Sequence, residues 1–169
     1  GSGDPSIIRD AMIIYHFSER FALGLGQSKL PGNRQRVISS GDQQLADRSI
    51  VNSTFNIDRD FGVQMYYNNY FQRFYYVFRG AITSGEGRNV RASDTGLAYT
   101  GRLELLPFGP FTAGGDYFEG DLLREPKPKV SLGITFSENL NTIRSGGQIG
   151  PFLYEERTIE TTMLDFLFK

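Results

Sequence analysis

Apolar and polar side chains alternate with a period of two along most of the chain, which is the spacing of a β-strand whose two faces have different surroundings. The alternation is regular over the residue ranges 60–67, 74–83, 97–106, 130–136 and 161–169. It is less regular over the ranges 11–17, 21–28 and 49–57. Helical spacing is weak throughout, and Gly or Pro interrupts most long windows. We therefore predict an all-β fold with about eight antiparallel strands.

The connections between the predicted strands differ greatly in length. Short turns fit residues 18–20 and 58–59, whereas the connections 29–48, 107–127 and 137–159 are long. Loops of this length are uncommon in compact domains and usually carry function. No linker-like stretch divides the chain, so we expect one structural unit over residues 1–169. Residues 1–5 read as a tag or as a mature N-terminal extension.

Strands with one apolar and one polar face occur in two kinds of protein. In a soluble sandwich or small barrel the apolar face is buried, whereas in an outer-membrane barrel it meets lipid and the polar face lines a wet lumen. The predicted strand at 97–106 is close to the ~9–11 residues that cross a bilayer at a tilt. Aromatic residues also cluster at strand ends, where membrane barrels carry aromatic girdles. The alternation alone fits both kinds of protein, whereas the strand length and the aromatic clusters favour the membrane barrel.

Composition sharpens this picture by exclusion. The chain has 14 Phe, 9 Tyr and no Cys, and its formal net charge is −1. Near-neutral charge disfavours a basic nucleic-acid binder, and the absence of Cys excludes disulfides and thiolate metal sites. The longest uncharged stretch, 61–72, is shorter than the roughly 17 residues that a transmembrane helix needs. Any crossing of a membrane must therefore use strands.

Several local patterns occur in an order that is shared with one family. They are Gly26-Gln27-Ser28-Lys29-Leu30-Pro31, Asp47-Arg48-Ser49, 58–63, 83–89, 96–109, 115–125 and Pro128-Lys129. None of these patterns is specific alone. In this order, the chain resembles the phosphate-selective porins O and P of the bacterial outer membrane, particularly the Bacteroidetes-type members.

The resemblance implies an antiparallel transmembrane β-barrel in the bacterial outer membrane. Family members are longer, so residues 1–169 are expected to be a single β-barrel segment of a larger porin barrel. The implied function is passive diffusion of small anions, such as phosphate, or of other polar solutes. Membrane lipid and lipopolysaccharide would surround the barrel. A homotrimer, or a partner in an envelope complex, is the expected assembly.

Arginines are the candidate pore-lining and anion-binding residues. Anion conduction needs fixed positive charge along a narrow wet path, and the forked guanidinium suits phosphate. Strand parity places two of the candidates on the polar face, and four lie in or beside turns and loops. The six are Arg79 and Arg102 on the strands, with Arg48, Arg59, Arg88 and Arg124 in the connections. The competing interpretation is an internal ion pair, because Glu104 shares a face with Arg102.

Other motifs predict less chemistry. The run Gly85–Asn89 could form a nest of backbone N–H groups around an anion. It lacks the Lys-Ser/Thr ending of a phosphate-binding loop, so a turn between strands is the stronger interpretation. His16 is the only histidine, and no nucleophile with a matching base, no metal cluster and no cofactor motif is evident. We therefore expect no enzymatic activity, no metal and no cofactor.

Two alternative functions stay open on the sequence alone. A soluble lipocalin-like binding module would place the aromatic rings around a ligand cavity. A porin-like subunit of a larger envelope complex would use the barrel as a partner surface.

Overall fold

The computed structural model describes residues 8–90 and 96–169, which form one antiparallel sheet of seven strands. Residues 1–5 lie outside the described part. The strands are β1 Ala11–His16, β2 Phe21–Lys29, β3 Arg59–Phe71, β4 Phe74–Thr83, β5 Ala98–Leu106, β6 Val130–Arg144 and β7 Phe152–Phe168. Each strand pairs with the next one along the chain, and β1 does not pair with β7. The all-β, antiparallel prediction is confirmed. The seven described strands form an open sheet and do not close into the predicted barrel.

The predicted strand at 49–57 is wrong, which reduces the predicted eight strands to seven in the described part. This segment contains the short helix α2, Ile50–Thr54, and the same connection holds α1, Arg34–Val37. Ser49 caps α2, because its Oγ accepts a hydrogen bond from the Asn52 backbone N–H at 3.3 Å. Such a cap satisfies an N–H that the first helical turn leaves free, and it favours a helix over a strand.

The predicted long connection at 137–159 is also wrong. Strand β6 continues to Arg144 and β7 begins at Phe152, so only residues 145–151 connect them. The register shifts between Asn139 and Thr142, and Asn141 has a φ of 53°. A bulge of this kind adds a residue to one strand and interrupts the period-two pattern. The sequence pattern therefore ended before the strand did.

The two faces of the sheet have opposite chemistry. The inner face, towards which Arg102 and Thr135 point, is covered by the connecting segment between β2 and β3, residues 30–58. The carbonyl of Gly32 accepts hydrogen bonds from Arg102 Nη1 at 2.9 Å and from Thr135 Oγ1 at 3.1 Å. The outer face carries the apolar positions of the alternating strands. Their pairing follows the predicted parity, as in the register Leu105↔Leu132.

A second connection, residues 107–129, also lies against the inner face. It contains a 3-10-helical stretch, Thr112–Tyr117, that is kinked at Ala113 and Gly114. The Lys169 ammonium donates to the carbonyls of Gly115, Phe118 and Gly120 at 2.7–2.8 Å. The two connections therefore cover the polar side of one sheet. Among the described residues, no helix has both the length and the apolar character that crossing a membrane requires.

Candidate functional site

A buried ion-pair network lies at the centre of the inner face. Arg102 on β5 donates from Nε to Glu104 Oε1 at 2.7 Å. Its two terminal nitrogens donate to both oxygens of Asp165 on β7, at 2.6 and 2.9 Å. The Arg102 side chain is 0% exposed. Bidentate contact of this kind fixes the guanidinium plane as well as its position.

A glycine on the strand between them makes this pair possible. Gly133 on β6 is in register with Glu104 on one side and with Asp165 on the other. A Cβ atom at position 133 would collide with the Asp165 carboxylate and the Arg102 guanidinium. The missing side chain therefore lets an ion pair reach across β6.

The connecting segment 30–58 adds a second arginine to the network. Asn33 caps α1 by accepting from the Arg36 backbone N–H at 2.9 Å, and Arg34 is the first residue of that helix. Arg34 donates to Asp165 Oδ1 at 3.1 Å and to Ser131 Oγ at 2.6 Å. It also lies 3.6 Å from Glu104. The network therefore balances two guanidinium groups against two carboxylates.

Tyr117 joins the second connection to the same network. Its hydroxyl donates to Glu104 Oε2 at 2.7 Å and accepts from Arg79 Nη2 at 2.9 Å. The Arg79 guanidinium also lies 5.0 Å from the ring centre of Tyr117. Burial raises the pKa of Tyr117. Burial and the neighbouring Glu104 likewise raise the pKa of Asp116, which precedes it in the chain.

A basic cluster lies near the base of the connecting segment. It consists of Lys29, Arg36, Arg48 and Arg59, with Asp58 and Asp10 as acidic neighbours. Burial and the charges of Arg59 and Arg48 lower the pKa of Arg36 to about 10. A guanidinium loses basicity in this way only where positive charge is crowded and poorly hydrated. Within the described part of the chain, Arg36 Nε is buried without a hydrogen-bond partner.

The six predicted arginines occupy three kinds of place. Arg79 and Arg102 reach the inner-face network, as strand parity predicts. Arg48 and Arg59 belong to the basic cluster, where Arg48 Nε donates to the Gln35 carbonyl at 2.9 Å and Arg59 Nε donates to Asp10 at 2.9 Å. Arg88 is half-buried in the turn after β4, and Arg124 is exposed in the second connection. Their roles as anion contacts stay predictions.

Sequence reasoning missed Arg34, Arg36 and Asp165 as site residues. Asp165 had a usable signal, because it alternates onto the polar face of its strand. Arg34 and Arg36 lie in a connection with no periodicity, so nothing in the sequence placed them on the inner face.

The glycine-rich turn after β4 is confirmed, and its backbone nest contains an internal anion. The Asp60 carboxylate accepts from the backbone N–H groups of Gly85 at 2.6 Å and Gly87 at 3.2 Å. Gly85 and Gly87 have φ values of 81° and 92°, which side-chain-bearing residues rarely adopt. Since Asp60 is fully buried, this nest anchors the turn to β3.

Comparison with known proteins gives one result. The profile of the family described as phosphate-selective porin O and P matches residues 1–120. No curated protein and no solved structure matches the chain significantly. The matched region includes β1 to β5, the connecting segment, and Arg34, Arg79 and Arg102 of the inner-face network. Because the match covers more than half of the sequence, the chain belongs to the phosphate-selective porin O and P family.

Proposed function

We propose that this sheet forms part of the wall of an outer-membrane β-barrel through which small polar solutes diffuse passively. Family membership supports a porin-type channel and implies a bacterial outer-membrane protein. The observation that carries the proposal is the reversed burial of the two faces. The inner face buries charge, whereas the outer face exposes large apolar side chains.

The outer face is unlike the surface of a soluble protein. Each of the following apolar residues keeps at least 40% of its surface exposed: Phe61, Val63, Ile82, Tyr99, Leu105, Leu132, Ile134, Phe136, Leu164, Phe166 and Phe168. Contiguous apolar patches of this extent mark interaction with a partner or a membrane. Burial of apolar surface is favourable by roughly 25 cal/mol per Å². Contact with lipid along β3 to β7 would remove the apolar side chains of the whole outer face from water.

Aromatic rings gather near the end of the sheet that carries the β1–β2 and β3–β4 turns. Tyr67 and Tyr76 have ring centres 6.0 Å apart on neighbouring strands, and the rings of Tyr70 and Tyr75 are 4.9 Å apart. The β3–β4 turn beside them contains only residues 72–73. Membrane barrels place girdles of aromatic residues at both interfaces. This end of the sheet fits an interfacial position.

Small anions such as phosphate are among the solutes that we propose, and the basic cluster supports this part of the proposal. Four cations face two carboxylates there, and Arg36 retains an unpartnered donor. Arg102, by contrast, is matched by carboxylates on every charged contact. An anion gains most where positive charge exceeds its neutralising partners. The cluster is therefore a better candidate for attracting anions than Arg102.

Two experiments test the proposal. Size-exclusion chromatography with and without detergent tests the outer face, and we expect a monodisperse folded protein only with detergent. A folded, monodisperse protein in plain buffer would instead support the soluble lipocalin-like module.

Reversal potentials in planar bilayers under a KCl gradient test the solute. We expect anion preference that decreases in Arg36→Gln, whereas cation preference in the unmodified protein would refute the role of the cluster.

A further inference from the structure

A cavity lined by both polar and apolar side chains lies on the inner face. It has a volume of about 500 Å³ and lies between residues 54–57 of the connecting segment, strands β6 and β7, and the turn between them. This volume falls within the ~300–1,000 Å³ of small-molecule sites. Its lining includes Phe55, Asn56, Ser137, Asn139, Gln148 and Thr161.

Three polar atoms in this lining are buried without a partner among the described residues. They are Asn56 Oδ1, Asn139 Oδ1 and Gln148 Nε2. Asn139 and Gln148 are 4% and 6% exposed. The Nδ2 of Asn139 donates to the Gly85 carbonyl at 2.9 Å, which leaves its oxygen free to accept. Buried polar atoms are nearly always satisfied in native proteins, so two acceptors and one donor are available here to a bound molecule.

The charge of the cavity separates it from the basic cluster. None of the described residues that line it is basic, and Glu160 is the acidic one among them. An anion would find no opposite charge in this lining. A hydroxyl group both donates and accepts, so it matches the free amide oxygens and the free amide nitrogen together. Phe55, 58% exposed, adds an apolar ring that suits the C–H face of a sugar.

We propose that this cavity binds a neutral polyhydroxylated solute of monosaccharide size. The proposal rests on the proposed function, because the solute reaches the cavity through the channel. It adds a solute class that differs from the anions attracted by the basic cluster. A site built from unpartnered amides also discriminates against solutes that cannot fill its hydrogen bonds.

Saturation-transfer NMR with D-glucose on the intact protein in detergent tests the binding site directly. The double variant Gln148→Met and Asn56→Leu removes two unpartnered atoms while nearly keeping side-chain shape. Because neither atom makes a hydrogen bond in the protein, the fold should be retained, and circular dichroism checks this. We expect the apparent Kd for glucose to increase about tenfold or more. The matched control, Gln44→Met in the exposed part of the connecting segment, should leave the Kd unchanged.

Three results would overturn the inference: no glucose binding by the unmodified protein, equal binding by the double variant, or displacement of glucose by inorganic phosphate at equal concentration. A KCl current measured in planar bilayers keeps the two proposals separate. Current without glucose binding refutes only the sugar site. Glucose binding without current refutes only the channel.

Discussion

The two faces of strands β3 to β7 share one backbone but have different surroundings. On the inner face Arg102 and Asp165 are joined across a glycine, and the connections between strands cover them. On the outer face Ile134 and Phe136, from the intervening strand, have about half of their surface exposed. Charge is therefore buried in protein, and apolar surface is not.

This difference indicates which interactions stabilise the sheet. A soluble sandwich gains stability from an apolar core, whereas the described apolar cluster of the inner face is small and contains Leu30, Ile57 and Ala81. The inner face depends on matched hydrogen bonds, and the outer face depends on its surroundings. The two faces should therefore respond oppositely to the same kind of substitution.

The largest expected effect is on the inner face. Arg102→Met leaves Glu104 and Asp165 buried without their main partner, and breaking a buried ion pair in this way costs about 3–5 kcal/mol. Thermal unfolding followed by circular dichroism in detergent measures the change. The matched control is Arg124→Met in an exposed turn, which should change stability by about 0.5 kcal/mol or less. Equal effects of the two variants would contradict a structural role for the network.

The next effect concerns the outer face. Ile134→Lys places a charge at the middle of β6, where contact with lipid makes it cost about 2–4 kcal/mol. Reversible unfolding in urea, with the protein refolded into lipid vesicles, measures this cost. Leu122→Lys in the second connection, where the side chain is 82% exposed, provides the control. A negligible change for Ile134→Lys would show that this face meets water.

A smaller effect is expected where the connecting segment docks. Arg34→Met removes donors to Asp165 and Ser131, and hydrogen bonds to charged groups contribute about 1.5–3 kcal/mol. The segment should then detach more often, so that a broad-specificity protease cleaves residues 39–47 about tenfold faster or more. Arg73→Met in the β3–β4 turn is the control. Unchanged cleavage would mean that Arg34 does not hold the segment on the sheet.

The smallest effect is the dependence of stability on pH at Asp116. Burial and Glu104 raise the pKa of this carboxyl above its ordinary value of 3.8, so the folded protein holds the proton more tightly than the unfolded chain. The stability from this group is full below pH 3.8 and is lost as the pH rises through the folded-state pKa. Asp116→Asn should therefore stabilise the protein slightly at pH 7 and leave it unchanged at pH 3. Melting temperatures at the two pH values test this, and destabilisation at pH 7 would contradict it.

The alternating pattern predicted most of the strands, because the face on which a strand residue lies depends only on its position within the strand. Parity placed Arg102 and Glu104 on one face, and their 2.7 Å hydrogen bond shows the ion pair that competed with the pore-lining interpretation of Arg102. It failed at the bulge after Asn139 and at the capped helix after Ser49, since each interrupts the period of two. Pattern alone cannot bring Arg34 to Asp165, because 131 positions separate them along the chain and their contact depends on the sheet register and on how the connection folds back.

The central claim is that the outer face meets lipid while the inner face does not. The chain has no Cys, so single cysteines for nitroxide labels can be placed along β6 without background. In vesicles, labels at Leu132, Ile134 and Phe136 should collide with oxygen dissolved in the bilayer and be shielded from a water-soluble nickel complex. Labels at Ser131 and Ser137 should lack this lipid signature, giving an alternation with a period of two. Free collision of the nickel complex with the labels at 132, 134 and 136 would contradict the claim.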